Sequence, residues 1–244
     1  MLTKFLVLLF LVAASTSLKE YSPEIIPIPG GLTGEAITTR YWDCCGGSCN
    51  WDAIVHTKNG FPVRSCQIDG VTNSTKENNG NSVCNPNRGN AFTCTNQQPI
   101  VVNSTLSYGF AAVSFVGSID YGHCCECYLL SFQGQLSGKQ MLVQVINTGA
   151  DLASSQFDLQ MPGGGVGLGN IGCQVQWNAS EDGWGDRYGG VHTIEECNLL
   201  PEVLQEGCRW RFTWMEGVPN PNVTYTQVKC PLELIAISNC GDFD

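Results

Sequence analysis

The pattern of hydrophobic and polar positions predicts a mostly β protein. Near-continuous apolar runs are typical of strands buried on both faces, and alternation is typical of strands buried on one face. By these criteria, residues 110–115 fit either a strand or a helix. Strand-like patterns occur in five further segments: 127–132, 141–147, 210–214, 223–228 and 232–237.

Two short helices interrupt the predicted strands. Thr193 and Glu196 have the spacing of a capping box, in which two side chains bond the backbone of the first turn. Pro201 is suited to start a second helix, and Gly207 is suited to end it. Because no internal repeat or low-complexity linker is evident, the sequence predicts one compact domain at 37–244.

The N-terminus has the features of a targeting segment followed by a leader. Lys4, an apolar run at 5–14 and small residues up to Ser17 are typical of a secretory signal peptide at 1–17. The run is shorter than the roughly 20 residues that span a bilayer, so a membrane-spanning helix is not expected. A buried N-terminal helix is the alternative to the signal peptide. Residues 18–36 contain three prolines and are expected to be a short extended leader. We therefore expect a secreted, extracellular protein.

Charge and cysteine content narrow the class of protein. The net charge of −10 repels phosphate backbones and anionic surfaces, so we expect no nucleic acid or membrane partner. All fourteen cysteines follow the predicted signal peptide, which indicates seven disulfides, and residues 54–103 read as disulfide-tied loops. Four glycosylation sequons fit a secretory route, and we expect only some to be used: Asn73, Asn103, Asn178 and Asn222.

Several motifs suggest chemistry that their context does not support. The segment 123–127, His-Cys-Cys-Glu-Cys, looks like a metal cluster, but it lacks a matching half and exported thiols are expected to be bridged. The glycines at 163–172 include G-x-G-x-x-G, but Cys173 follows rather than a helical pattern, which favours a tight loop for close backbone approach. No G-x-S-x-G motif is present. We therefore predict no metal and no cofactor, and turn to carboxylates.

Asp43 has the most suggestive surroundings of any carboxylate. It lies in the segment 38–51, which also holds three aromatic rings and three cysteines. A carboxylate beside aromatic surface is partly desolvated, which can raise its pKa into a useful range. Asp151 and Asp158 flank a short segment that follows the strand predicted at 141–147. Each could be a solvated loop aspartate, but nearby rings, on which sugars stack, make polysaccharide hydrolysis plausible.

A family resemblance sharpens this interpretation. The segment 38–45, Thr-Thr-Arg-Tyr-Trp-Asp-Cys-Cys, is similar to the signature of glycoside hydrolase family 45 endoglucanases. The resemblance extends from about Thr38 to Cys240. Further matching segments follow in order: 108–112, 147–152, 157–159, 162–167, 187–190 and 208–212.

The resemblance implies a six-stranded double-psi β-barrel with short helices and long disulfide-tied loops, and inverting endo-hydrolysis of β-1,4-glucan. Asp43 matches the general base, Asp158 the general acid and Asp151 an assisting loop carboxylate. Apolar Phe157 and the charge of Asp151 are expected to keep the acid protonated. Four residues match positions along the substrate groove: Thr39, Tyr41, Trp51 and Tyr188.

The resemblance also implies how the cysteines pair. The implied pairs are Cys44–Cys173, Cys45–Cys84, Cys49–Cys124, Cys66–Cys94, Cys125–Cys240, Cys127–Cys230 and Cys197–Cys208.

The substrate implied is a β-1,4-glucan such as cellulose, and we expect a monomer. Two departures leave xyloglucan open as an alternative. Gly46-Gly47 stands where family members often have Lys-Pro, and Gln156 stands where a His is common. A non-hydrolytic, expansin-like binding protein is a second alternative, but such proteins lack a base that matches Asp43.

Overall fold

A computed structural model describes residues 22–51, 55, 61–74, 81–87 and 89–241. The predicted signal peptide, 1–17, lies outside these residues, as do the first four residues of the predicted leader. In the ranges just given, no helix has both the length and the apolar character needed to cross a membrane.

Seven strands form one sheet. Their order is β2-β3-β5-β4-β7-β1-β6, and β6 also pairs with β3, so six strands close into a barrel while β2 extends the edge of β3. The strands are β1 (Thr33–Tyr41), β2 (Ile100–Val101), β3 (Leu106–Ser114), β4 (Cys127–Phe132), β5 (Gln140–Asn147), β6 (Gln156–Gln160) and β7 (Val223–Val228). The predicted mostly β, six-stranded barrel is confirmed. Strand β1 includes the last four residues of the predicted leader.

The barrel interior is the main hydrophobic core. Residues 110–114 of the segment 110–115 pair with β5 and β6 as part of β3, so the strand interpretation is right for them, and all nine residues of β3 are buried. Phe110, Tyr128, Leu130, Phe157 and Leu159 are all fully buried there. Each such side chain contributes roughly 1.5–3 kcal/mol on burial, so the barrel is a rigid support for the residues on its outer face.

In the part of the chain that the structure describes, three α-helices pack around the barrel, and two of them occupy segments predicted as strands. They are α1 (Ile171–Trp177), α2 (Glu202–Thr213) and α3 (Leu232–Ser238). The strand predicted at 210–214 is wrong because Trp210 and Trp214 are also spaced for one helix face, where their rings stack at 5.3 Å. The strand predicted at 232–237 is wrong because a short apolar run fits a helix equally well.

The predicted helix signals were partly right. Glu196 accepts hydrogen bonds from the N–H of His192 and of Thr193, and the Thr193 hydroxyl accepts one from the N–H of Glu196. This capping box is confirmed, and it starts a 3₁₀ helix at Glu195–Leu199. Pro201 precedes α2 as predicted, but Gly207 does not end the helix. It lies buried within α2, where a β-carbon would clash with Gln98 and Pro162. Close packing of the helix therefore accounts for the glycine.

All fourteen cysteines are paired in seven disulfides. The bonds are Cys44–Cys173, Cys45–Cys84, Cys49–Cys124, Cys66–Cys94, Cys125–Cys240, Cys127–Cys230 and Cys197–Cys208, the same pairs that the family resemblance implies. The three cysteines of the segment 123–127 are therefore bridged and are not thiolate ligands. Two of the bonds tie the irregular region between β1 and β2 to later parts of the chain, at Cys124 and at Cys173 in α1, and two more lie within that region.

Candidate active site

Strands β1 and β6 place Asp158 on the outer face of the barrel. The two strands run parallel, and Thr39 pairs with Asp158. Because side chains alternate along a strand, Phe157 and Leu159 enter the core while Asp158 points away from it. Asp158 is thus at the centre of a five-residue strand, rather than at a strand end or in a loop. Phe157 faces the opposite side, so it is not the apolar neighbour of the Asp158 carboxyl that the sequence suggested.

Asp43 lies two residues beyond the end of β1, in a backbone held by disulfides. Cys44 has a left-handed φ of 62° and is bonded to Cys173 at the start of α1. The N–H of Cys45 donates to Oδ1 of Asp43 over 2.9 Å. A β-carbon at Gly172 would lie 2.3 Å from the Asp43 carbonyl oxygen, so α1 packs directly on this turn. The Asp43 carboxyl is therefore fixed from both sides.

A groove runs across both carboxylates. It consists of two adjoining cavities of about 400 and 250 Å³, which share Tyr41, Asp151, Leu152, Asp158 and Gly167. We call the larger the Tyr188 half and the smaller the Trp51 half, after an aromatic residue that lines each. Asp43 lines the Trp51 half, and Asp158 lies where the halves meet. Asp151 is exposed in the loop between β5 and β6.

The four groove residues suggested by the family resemblance all line this groove, in different environments. Trp51 is half-buried, with its ring centre 6.3 Å from that of Tyr121, whereas Tyr188 is 65 % exposed. Tyr41 is buried in the groove floor and donates its hydroxyl to Gln160 over 2.9 Å. The Thr39 hydroxyl donates to Oδ1 of Asp158 over 2.6 Å, so it contacts the acid candidate itself.

Burial dominates the electrostatics of both carboxyls. Burial raises the pKa of Asp43 to about 7, with the charges of Asp158 and Asp151 acting in the same direction and the Cys45 N–H opposing them. Burial also raises the pKa of Asp158 to about 7, against the hydrogen bond from Thr39. The charge of Asp151 reinforces that rise, and Arg40 opposes it. Carboxyls with such values can exchange protons near neutral pH.

Sequence reasoning missed Arg40 as a site residue, although it lies inside the signature. Its Nε donates to the carbonyl of Gly189 over 2.9 Å, and Nη1 donates to Oδ1 of Asn220 over 2.6 Å. These bonds hold a cation in the Tyr188 half, close enough to lower the pKa of Asp158. Its position directly after Thr39 was a usable signal only once the pairing of Thr39 with Asp158 was known.

The structure also explains the glycine-rich segments. The carbonyl of Gly165 accepts a 2.7 Å hydrogen bond from the N–H of Trp42, which confirms close backbone approach. The expectation that no helix follows these glycines was wrong, because helix α1 begins at Ile171, inside the run, and contains Cys173. Gly47 has a φ of −64°, which suits proline, but a β-carbon there would lie 2.5 Å from the carbonyl oxygen of Ile146. Close packing against β5 therefore accounts for Gly47.

Three of the four sequon asparagines, Asn73, Asn178 and Asn222, are exposed. Asn103 is half-buried, and its Oδ1 accepts hydrogen bonds from the N–H of Thr105 and of Leu106. Glycosylation of any of them stays a prediction, and Asn103 is the least accessible of the four.

Comparisons with known proteins place the chain in one family of glycoside hydrolases. The family model described as glycosyl hydrolase family 45 matches residues 35–241. An endoglucanase of Phaedon cochleariae is 52% identical over 234 residues, which cover 95% of this chain and 94% of that protein. An endoglucanase of Cryptopygus antarcticus is 46% identical, with coverage of 88% and 93%. The crystal structure of a cellulase from the same springtail matches with a TM-score of 0.79 at 44% identity, covering 87% of this chain and 99% of that one. The chain belongs to glycosyl hydrolase family 45.

Proposed function

We propose that this glycosyl hydrolase is a secreted endo-β-1,4-glucanase that inverts the anomeric carbon, with Asp43 as general base and Asp158 as general acid. The observation that carries the proposal is the placement of Asp43 and Asp158 in one groove, each with its pKa raised to about 7 by burial. The names of the matched proteins also support the proposal, since two relatives are named endoglucanase and the solved structure is that of a cellulase.

The shape of the groove supports internal cleavage. Asp158 lies at the junction of the two halves, so a glucan chain can continue past the acid in both directions. Trp51 and Tyr188 offer ring faces, one in each half, on which sugar rings can stack. The family of the chain supports a β-glucan substrate, and we propose cellulose or a related β-1,4-glucan.

Two proton transfers make up the reaction. Protonated Asp158 donates its proton to the glycosidic oxygen as the bond to the anomeric carbon breaks. Ionised Asp43 accepts a proton from the water that attacks the opposite face of the same carbon. Inversion of this kind needs the two carboxyls about 6.5–9.5 Å apart, so that the water fits between them. The two carboxyls and one water complete the reaction, so the proposal includes no cofactor.

The loop carboxylate Asp151 assists the acid in this scheme. Its negative charge raises the pKa of Asp158 and also that of Asp43. It therefore helps to keep a proton on Asp158 between turnovers. Because Asp151 lines both halves of the groove, it is also placed to contact the sugar at the scissile bond.

Secretion is part of the proposal. The seven disulfides and the signal-like N-terminus support export, since such bonds persist in oxidising compartments. Expression of the full chain in a secreting host should deliver the enzyme to the medium without residues 1–17. Retention inside the cell would contradict this part of the proposal.

An expansin-like, non-hydrolytic role is the alternative, and the presence of Asp43 beside the acid argues against it. The deciding experiment measures new reducing ends from carboxymethyl cellulose and cellohexaose. Asp43→Asn and Asp158→Asn should each lose at least 10²-fold in kcat, in the range that acid–base groups contribute. Asp182→Asn, at an exposed position outside the groove, is the matched control.

Two results would count against the proposed mechanism. Full activity in either active-site variant would remove that carboxylate from its proposed role. NMR of fresh product should show the α-anomer first, and early β-anomer would exclude inversion.

A further inference from the structure

Gln156 lines the Tyr188 half of the groove and is connected to the acid through Thr39. Its side chain is buried at 7 % exposure, on the same face of β6 as Asp158. Nε2 of Gln156 donates to Oγ1 of Thr39 over 2.8 Å, and Oγ1 of Thr39 donates to Oδ1 of Asp158 over 2.6 Å. Oε1 of Gln156 accepts from the N–H of Ala153 over 2.8 Å. Ala153 belongs to the loop that carries Asp151.

The chemistry of the partner groups fixes the direction of the two bonds made by the Gln156 amide, and Thr39 donates to Asp158 in the structure. A backbone N–H can only donate, so the amide atom that faces Ala153 must be the oxygen of Gln156. The nitrogen of the amide must then face Thr39, whose hydroxyl oxygen accepts from it. The single hydroxyl hydrogen of Thr39 is left for Oδ1 of Asp158.

We propose that Gln156 is a positioning residue of the general acid, which acts through Thr39 to keep the transferable proton on Oδ2 of Asp158. Oδ1 is occupied as an acceptor, so a protonated Asp158 carries its hydrogen on the other oxygen. The same amide joins the loop of Asp151 to the acid, so the two carboxylates are held in one arrangement. The proposal rests on the assignment of Asp158 as the acid.

The two hydrogen bonds of Gln156 also explain why an amide suits this place in β6. Gln156 does not titrate, so it accepts from Ala153 and donates to Thr39 at every pH. A neutral imidazole can do both, with one nitrogen as acceptor and the other as donor, but a protonated imidazole can only donate. A histidine here would therefore interrupt the chain when it becomes charged, at a pH near its usual pKa of about 6.5.

The test separates proton donation from other effects by the choice of leaving group. Gln156→Leu should lower kcat on cellohexaose roughly tenfold, less than the 10²–10⁴-fold contribution of an acid. On a dinitrophenyl cello-oligosaccharide, whose leaving group needs little protonation, kcat should fall less than twofold. Thr39→Val should act on the same step, and the double variant should lose no more than the more impaired single variant, because both break one chain.

The pH profile is the second readout. Since the Thr39 hydrogen bond lowers the pKa of Asp158, weakening it should move the alkaline limb of kcat/KM to higher pH in Gln156→Leu. Gln156→His should be active above about pH 6.5 and gain a further loss of activity below it. This variant also keeps the proposal testable should Gln156→Leu fold poorly.

Gln97→Leu is the matched control. Gln97 is buried and likewise accepts from a backbone N–H, that of Cys94, while its Nε2 donates to the carbonyl of Arg64. It does not line the groove, so its loss should lower stability and leave the pH profile unchanged.

Equal losses on both substrates with an unchanged pH profile would overturn the proposal, as would additive losses in the double variant. Failure of the proposed function is recognised separately, because Asp158→Asn would then keep its activity on cellohexaose whatever Gln156→Leu does.

Discussion

Gly169 lies directly against the carboxylate of Asp43. A β-carbon built at position 169 would be 2.8 Å from Oδ2 of Asp43 and 2.7 Å from Sγ of Cys45. Gly169 does not have a positive φ, so its backbone would accept alanine. The absence of a side chain is therefore needed for the positions of Asp43 and Cys45, and not for the backbone of the loop.

Gly169→Ala is expected to lower kcat by about 10²-fold, because a displacement of about 1 Å in a catalytic group can cost that much. The measurement is reducing-end release from cellohexaose together with thermal unfolding. Gly122→Ala is a suitable control, since its β-carbon would meet only Oδ1 of Asp120, at 3.6 Å. A fully active Gly169→Ala enzyme would show that Asp43 is not held by this contact or is not the base.

The pH dependence of kcat/KM should be a narrow bell with its maximum close to neutrality. The base must be ionised, so activity falls as the pH drops below the pKa of Asp43, which is about 7. The acid must be protonated, so activity falls as the pH rises above the pKa of Asp158, also about 7. Because the two carboxyls interact, the measured limbs describe the pair rather than either residue. A broad plateau from pH 4 to 9 would contradict this electrostatic description.

The Asp43 and Asp158 carboxyls should cost the folded protein stability at neutral and alkaline pH. Both have a folded-state pKa raised from 3.8 to about 7, so the folded state holds more protons than the unfolded state in between. The free energy of unfolding therefore falls as pH rises from about 4 to about 7, and stays lower above that range. Asp43→Asn removes this penalty and retains an oxygen that can accept from the N–H of Cys45.

We accordingly expect Asp43→Asn to be more stable than the wild type by about 1–3 kcal/mol at pH 8. This is less than the roughly 4 kcal/mol that a change from 3.8 to about 7 corresponds to, because solvent reaches the half-buried carboxyl. Denaturant unfolding at pH 8 and at pH 4 measures the difference, which should vanish at the lower pH. Equal stabilities at pH 8 would show that burial does not penalise the charge.

Local patterns predicted strands well where the barrel core determines them. The predicted segments 127–132 and 223–228 coincide with β4 and β7, since their side chains alternate or run apolar over the full strand. The pattern was misleading at 210–214, where five residues fit a strand and one turn of helix equally. Strand β6 was not predicted, although its sequence Gln-Phe-Asp-Leu-Gln alternates polar and apolar residues as a strand buried on one face does, because five residues are a short signal between loops.

The candidate site could not be identified from hydrophobic and polar patterns alone. Asp43 and Asp158 were identified through the motifs of a known family, and either could otherwise have been a solvated loop aspartate. The contact between Gly169 and Asp43, and the chain from Ala153 to Asp158, join residues that are far apart in sequence or arise from strand pairing. The register of Thr39 opposite Asp158 produces the second of these arrangements, and the Cys44–Cys173 disulfide lies beside the first.

The two halves of the groove should influence the cleavage pattern in opposite directions. Trp51 lines one half and Tyr188 the other, with Asp158 at their junction. Loss of either ring should lower kcat/KM on cellohexaose about tenfold, which corresponds to about 1.4 kcal/mol of binding. In Trp51→Ala the oligosaccharide should bind further toward the Tyr188 half, and in Tyr188→Ala further toward the Trp51 half. With ¹⁸O at the reducing end, mass spectrometry of the products locates the cleaved bond. The two variants control for each other, so a shift in the same direction in both would show that the halves do not form one continuous binding groove.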